Sequence, residues 1–176
     1  MSYLVRKISR SKWEVDGSGP INADAITNCL KTTGNTLSFW QVTSENEISD
    51  AVLALAAAND NLDKMDVVVI HEDIFRELAI TIAESPGKTA CEKLAHTHRD
   101  LANLSINELA SIADVLAGKI REGKTTRFTL SKLRTLLLSA IDEGRLDFER
   151  LSDGIKKKLQ PRPPTEPCPT CGAVKQ

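Results

Sequence analysis

The sequence predicts an α/β (α+β) protein with a small, three-stranded, parallel sheet and its helices over residues 1–86. A helical bundle over residues 87–160 and an extended, proline-rich tail over residues 161–176 are expected to follow. Short β-branched and aromatic runs alternate with helical spacing in the first segment, as in proteins built on a parallel sheet. Only helical spacing continues through the second segment, and the prolines of the third cannot extend a helix.

The predicted strands are three short runs in the first segment. Tyr3–Ile8 and Thr36–Val42 are rich in β-branched and aromatic residues, which are common in strands. Val67–Ile70 is a continuous β-branched run, which is typical of a strand buried on both faces of a parallel sheet. Because helical spacing separates the three runs, right-handed crossovers between parallel strands are expected.

Helices are predicted between and after these strands. Apolar residues at helical spacing over Ile26–Leu30 separate the first two strands. Ser44 and Glu47 form a capping-box pattern that predicts the start of the next helix. Helical spacing over Ile74–Ile82 then follows the third strand.

The second segment shows helical spacing throughout. Thr89 with Glu92 and Ser105 with Glu108 are capping-box patterns that predict the starts of two helices. Apolar residues keep the spacing of one helical face over residues 91–101, 109–120, 130–141 and 148–159. Four helices with short connections predict an antiparallel bundle.

The charge of the chain is unevenly distributed. The formal net charge is −1, which argues against a surface that is basic along the whole chain. Residues 1–118 carry a net charge of −7, residues 119–160 of +5 and residues 161–176 of +1. A basic segment within a neutral chain suggests an acidic partner, a polyanion, or docking of the two parts on each other. The alternative is two solvated surfaces of opposite charge that bind nothing.

Composition also narrows the class of protein. Apolar residues make up 41% of the chain, enough for a folded core. The longest apolar run, Ala51–Ala58, is far shorter than the ~20 residues that span a bilayer, so no membrane partner is expected. No secretory signal is visible after Met1, and four cysteines do not suggest a disulfide scaffold. A cytoplasmic location is therefore expected.

Residues Gly118–Thr125 match the pattern of a phosphate-binding loop, G-x-x-x-x-G-K-[ST]. A working loop needs a buried strand before it and a helix that starts at its Lys-Thr pair. Here helical spacing precedes the motif, and Gly123 looks like the end of that helix. The interpretation favoured by the sequence is a helix terminus.

The tail carries the motif Cys168-Pro169-Thr170-Cys171-Gly172, which is similar to half of a zinc ribbon. The spacing of Cys168 and Cys171 lets two thiolates reach one ion, but a structural zinc site needs four ligands. A second chain, in a homo-oligomer or a complex, would have to supply the others. The alternative is a tail with reduced thiols.

His71, Glu72 and Asp73 follow the third predicted strand. The carboxyl ends of parallel strands are common ligand sites, and these side chains suit a divalent cation or acid–base catalysis. Asp73 is equally well placed to cap the following helix, and Glu72 suits the positive end of its dipole. Both interpretations remain open at this point.

Basic residues cluster in the second segment and predict a surface for nucleic acid or an acidic partner. Aromatic residues are 4% of the chain, which disfavours stacking on single-stranded bases. The residues concerned are Lys119, Arg121, Lys124, Arg127, Lys132, Arg134, Lys156, Lys157 and Lys158.

The sequence as a whole favours a non-enzymatic, intracellular protein that binds another protein. Such a chain would be a regulator, an adaptor or an immunity-type subunit within a hetero-complex or a homo-oligomer. The undersized sheet, the opposed charges and the incomplete cysteine site each suit a complex. Two alternatives are kept: a nucleic-acid-binding protein that uses the basic segment 119–158, and a metal-dependent enzyme that uses His71, Glu72 and Asp73.

Overall fold

The computed structural model describes residues 2–13, 21–44 and 47–160, and six strands within them form one open sheet. Across the sheet their order is β4-β5-β2-β1-β3-β6, and every neighbouring pair is antiparallel. The amino-terminal strand therefore lies in the centre, between β2 and β3. The strands are β1 (Tyr3–Ile8), β2 (Leu37–Val42), β3 (Met65–His71), β4 (Thr81–Glu84), β5 (His98–Ala102) and β6 (Thr125–Phe128).

Helices cover both faces of this sheet. Two short 3-10 helices, Glu92–Thr97 and Phe148–Arg150, lie between the longer elements. The α-helices of the described ranges are α1 (Arg10–Trp13), α2 (Ala23–Cys29), α3 (Ile48–Ala57), α4 (Glu72–Glu77), α5 (Ile106–Arg121), α6 (Leu130–Asp142) and α7 (Asp153–Leu159).

The sheet separates two hydrophobic cores. Successive side chains of a strand point to opposite faces, so Val5 joins one core and Leu4 joins the other. The core on what we call the α3 face contains the apolar sides of α3, α6 and α7. The core on the opposite, α5 face contains those of α2 and α5, together with Trp13 and Phe75. Both Leu4 and Val5 are fully buried, and burying such a side chain contributes roughly 1.5–3 kcal/mol.

The predicted three-stranded parallel sheet is wrong, because the sheet has six strands and they are antiparallel. The three predicted strands exist as β1, β2 and β3. The continuous apolar run of β3 suggested a parallel sheet, since it is buried on both faces. Here an antiparallel strand has the same environment, because helices cover both faces at its position.

The predicted purely helical second segment is also wrong. Residues 91–101, where helical spacing predicted a helix, contain a 3-10 helix and strand β5. A further strand, β6, follows α5. Both strands, with β4, are short and lack clear apolar alternation, so their sequences carry little strand signal. Since β5 pairs with β2 and β6 pairs with β3, the sheet includes strands from both sides of residues 86–87.

One predicted capping box is confirmed. The backbone N–H of Glu108 donates to Oγ of Ser105 at 3.5 Å, and the backbone N–H of Ser105 donates to the Glu108 carboxylate at 2.5 Å. The Glu47 carboxylate accepts from the backbone and the hydroxyl of Thr43, and Glu47 makes no side-chain cap of α3. These hydrogen bonds from Thr43 lower the pKa of Glu47.

The phosphate-loop pattern is a helix terminus, as the sequence indicated. Gly118 lies inside α5, and Gly123 ends the turn with a φ of +70°, a conformation that favours glycine. Strand β6 begins at Thr125, where a phosphate loop requires a helix. In the part of the chain that the structure describes, no helix is long and apolar enough to cross a membrane.

Candidate functional site

The predicted basic residues differ in their contacts within the chain. Lys119, near the end of α5, and Lys124, just before β6, both face Glu122, which lies 3.9 Å and 3.0 Å from their respective Nζ atoms. The hydrogen bond and charge of Lys124, and then the charge of Lys119, lower the pKa of Glu122. One carboxylate thus partly neutralises two ammonium groups.

Arg127 lies on the edge strand β6 opposite Asp66 of β3. Its Nε donates to one carboxylate oxygen at 2.7 Å and its Nη2 to the other at 3.0 Å, which is a bidentate pair. Asp66 is buried at 9% exposure, so Arg127 compensates a buried charge across the two strands. Arg121, the last residue of α5, also makes a contact within the chain.

Two more of the predicted residues donate to backbone carbonyls, Arg134 between α6 and α7 and Lys158 between α7 and the segment before β3. Nη2 of Arg134 lies 3.4 Å from the carbonyl oxygen of Leu159. Nζ of Lys158 lies 2.7 Å from the carbonyl oxygen of Leu62. The weak contact of Arg134 uses one of its five N–H donors and leaves the others for a ligand.

The remaining three lysines differ in their surroundings. Lys156 pairs with the carboxylate of Glu149 at 3.0 Å and stands over the ring of Phe148, with its Nζ 5.6 Å from the ring centroid. Lys132 and Lys157 are exposed and form no ion pair with any residue of the described ranges. Of the predicted basic residues, these two are the ones that are exposed and whose side chains form no hydrogen bond or ion pair with a described residue, one on α6 and one on α7.

An apolar patch accompanies this charge on the outer side of α6. Leu130 and Leu138 are 37% and 39% exposed, although the same helix buries Leu133 and Leu137 in the core. With Ser131, Arg134 and Thr135 they line a groove of about 390 Å³, here called the α6 groove. Two leucines spaced by two helical turns, with an arginine between them, resemble the contact face of a helix or strand partner.

The structure does not bring His71, Glu72 and Asp73 together as a metal or catalytic site. His71 caps α4, because its Nδ1 accepts the backbone N–H of Asp73 at 3.3 Å. The predicted cap by Asp73 is therefore wrong, and the Asp73 carboxylate lies 3.3 Å from the same ring nitrogen.

Glu72 is a buried carboxylate with 4% exposure. It accepts hydrogen bonds from Ser2 Oγ, from Gln41 Nε2 at 2.8 Å, and from the guanidinium of Arg76. Burial alone raises the pKa of Glu72, but the three hydrogen bonds and the charge of Arg76 outweigh it, so the pKa is lowered. The role that this geometry supports is structural, since Glu72 joins β1, β2 and α4.

His71 does line a concavity, here called the sheet-end cleft, on the α3 face of the sheet. The cleft has a volume of about 350 Å³. The edge of the Tyr3 ring meets the His71 ring, with centroids 5.1 Å apart. The described residues that line the cleft are Tyr3, Ile48, Val69, His71, Lys119, Lys124 and Thr126.

A serine, a histidine and an aspartate meet at β4 and β5, which the sequence did not predict. Oγ of Ser85 donates to the Asp100 carboxylate at 2.6 Å and lies 2.8 Å from Nδ1 of His98. Nδ1 of His98 also lies 3.1 Å from the carbonyl oxygen of Ser85. Because the Ser85 hydroxyl donates to Asp100 and not to His98, the group is a polar cross-link between β5 and the turn after β4 rather than a nucleophile with its base.

The turn beside this cross-link needs a glycine. A Cβ on Gly87 would lie 2.8 Å from Cβ of His98 and would clash with the ring of Trp40. The close approach locks the Ser85–Gly87 turn over β2 and β5. A spacing-based reading of the sequence could not detect this, because the three polar residues are brought together only by strand pairing.

The predicted zinc ligands Cys168 and Cys171 lie outside the described residues. Cys29 and Cys91 are buried, free thiols on opposite faces of the sheet, so they cannot together complete one zinc site. Burial raises the pKa of Cys91, which disfavours the thiolate that zinc requires. Among the described residues, no group of three or more His, Cys, Asp or Glu side chains could hold a metal ion.

The chain has no match among the family models, the curated proteins or the solved structures with which it was compared.

Proposed function

We propose that this protein is a non-enzymatic regulator or adaptor whose α6 groove binds an amphipathic, acidic segment of another protein. The observation that carries the proposal is the pair of exposed leucines, Leu130 and Leu138, on either side of Arg134. An apolar patch rimmed by charge is typical of a protein-binding surface.

The charge around the groove selects the partner. Arg134 lines the groove between the two leucines and has donors to spare, whereas Lys132 and Lys157 are exposed on α6 and α7 outside its lining. A segment that places two apolar side chains on the leucines and carboxylates around them would complement both properties. Charge complementarity of this kind raises the association rate and selects among partners.

A protein partner has more support than nucleic acid. Arg127 and Lys156 already pair with carboxylates of the chain. Phosphate contacts by these residues would first require those pairs to open. Exposed leucines, in contrast, contribute nothing to binding a phosphate backbone.

The experiment is a capture of partners from the native host with the immobilised full-length protein. Leu138→Asp places a charge in the groove and is expected to lower recovery of the partner at least about tenfold, as for a buried hot spot. Arg134→Glu is expected to weaken capture of an acidic partner by a similar factor. Leu78→Asp is the matched control, because Leu78 is equally exposed at 39% but lies at the end of α4.

Each outcome bears on the proposal. A protein captured by the wild type and by Leu78→Asp, but lost with Leu138→Asp, supports it if its binding segment is acidic. Equal capture by all variants contradicts it. If Leu138→Asp converts a dimer of this protein to a monomer, the groove binds a second copy of the chain, and the proposal of a different partner protein is contradicted. Capture of nucleic acid, with affinity that falls steeply as salt rises, would favour the alternative function.

A further inference from the structure

We propose that the sheet-end cleft is a second, separate site that binds a small phosphomonoester. It lies at the end of β1 and β3, whereas the α6 groove lies on the outer side of α6. The inference does not depend on the function proposed for the groove. It rests on the chemistry of the side chains that line the cleft.

The polar side chains of the cleft supply hydrogen-bond donors. Two are ammonium groups, of Lys119 and Lys124, and Tyr3 and Thr126 add a phenol and a hydroxyl. Among the described lining residues none carries a carboxylate. Several donors and two positive charges, whose shared carboxylate partner Glu122 lies outside the lining, favour an anion rather than a cation.

His71 adds a further donor. Its Nδ1 faces the backbone N–H of Asp73 at 3.3 Å and accepts from it, which places the proton of the neutral ring on Nε2. Nε2 of this ring is therefore a donor.

The other walls of the cleft indicate an organic group attached to the phosphate. Ile48 and Val69 are apolar, and the ring of Tyr3 stands edge-on to that of His71. The volume of about 350 Å³ is near the lower limit for small-molecule sites. A ligand with a dianionic head group and a ring-sized organic part matches the positive charge, the apolar walls and the volume of the cleft.

Glu122 is the counter-ion that such a ligand would displace. It is half-exposed and pairs with both lysines, at 3.0 Å from Lys124 and 3.9 Å from Lys119. Removing its charge should therefore strengthen binding of a dianion, whereas removing either lysine should weaken it. Opposite effects of neighbouring substitutions are not expected if the three residues only support the fold.

The test is isothermal titration calorimetry of the full-length protein with phenyl phosphate and with inorganic phosphate. Phenyl phosphate is expected to bind at millimolar concentration or below, and more tightly than inorganic phosphate. Lys124→Met should weaken it about tenfold and Glu122→Gln should tighten it several-fold. Lys31→Met, an exposed lysine after α2 on the other face of the sheet, should leave the affinity unchanged.

Circular dichroism and thermal unfolding of each variant establish that it is folded. Lys124 is 62% exposed, so its substitution is not expected to disturb the core. Absence of binding by the folded wild type at millimolar concentration overturns the proposal. Binding that Lys124→Met and Glu122→Gln both leave unchanged also overturns it, because the ligand then lies elsewhere. Equal affinity for the two phosphates would contradict the predicted organic part of the ligand.

Discussion

Replacing Glu72 by glutamine should lower the free energy of unfolding and make it depend less on pH in the acidic range. The side chain is 5% exposed and accepts from three donors, on Ser2, Gln41 and Arg76. A hydrogen bond to a charged group contributes roughly 1.5–3 kcal/mol, and the three are coupled, so they do not add. We expect a loss of about 3 kcal/mol near neutral pH, which corresponds to a decrease in Tm of roughly 6–12 °C.

The sign of the pH dependence follows from the lowered pKa of Glu72 in the folded protein. A carboxylate whose pKa is lower when folded stabilises the protein fully above its unfolded pKa of about 4.3. This contribution is lost as the pH falls through the folded pKa. Glutamine does not titrate, so the difference between wild type and Glu72→Gln should shrink as the pH drops below about 4.

Urea unfolding at pH 7 and pH 3, followed by circular dichroism, measures both effects. Glu77→Gln is the control, since Glu77 lies on the same helix and is exposed. It should change the free energy of unfolding by less than about 0.5 kcal/mol. An equal deficit for Glu72→Gln at both pH values, or no deficit at pH 7, would refute the assignment of Glu72 as an ionised, hydrogen-bonded carboxylate.

Two further substitutions test the packing and the tail. Gly87→Ala should lower the free energy of unfolding by about 1–3 kcal/mol, because its methyl group meets the Trp40 ring. Gly118→Ala, with no atom within 4 Å of the added group, should stabilise α5 by about 0.5–1 kcal/mol; similar urea midpoints for the two variants would contradict this packing. Elemental analysis of the protein purified with its partner should find zinc that is lost with Cys168→Ser and Cys171→Ser, and unchanged zinc content would contradict the half-site.

The sequence predicted the positions of the first strands along the chain better than their direction and neighbours in the sheet. The β-branched content of β3 identified a buried strand correctly, because local composition reports burial. Strand direction is not a local property, and it depended on β5 and β6, which lie far along the chain from the strands they pair with. A histidine at helical spacing, His98, proved to be the first residue of β5.

For the candidate sites, too, the sequence indicated which residues are basic or apolar but not which of them are paired or exposed. Counting charges identified the basic segment. The structure was needed to show that Arg127 pairs with Asp66, whereas Lys132 forms no ion pair with a residue of the described ranges. The exposure of Leu130 could not be predicted, because its spacing is that of a core residue. The sheet-end cleft joins residues from four separate parts of the chain, so no spacing motif describes it.

The central position of β1 has a consequence for how the protein is made. Strand β1 is synthesised before both of its neighbours, since Leu4 pairs with Gln41 on one side and with Ile70 on the other. Such non-local pairing is slow, and the apolar residues of β1 stay exposed until β2 and β3 have been made. Deleting β1 would divide the sheet into two pieces, so its loss should be far more damaging than the loss of an edge strand such as β4 or β6.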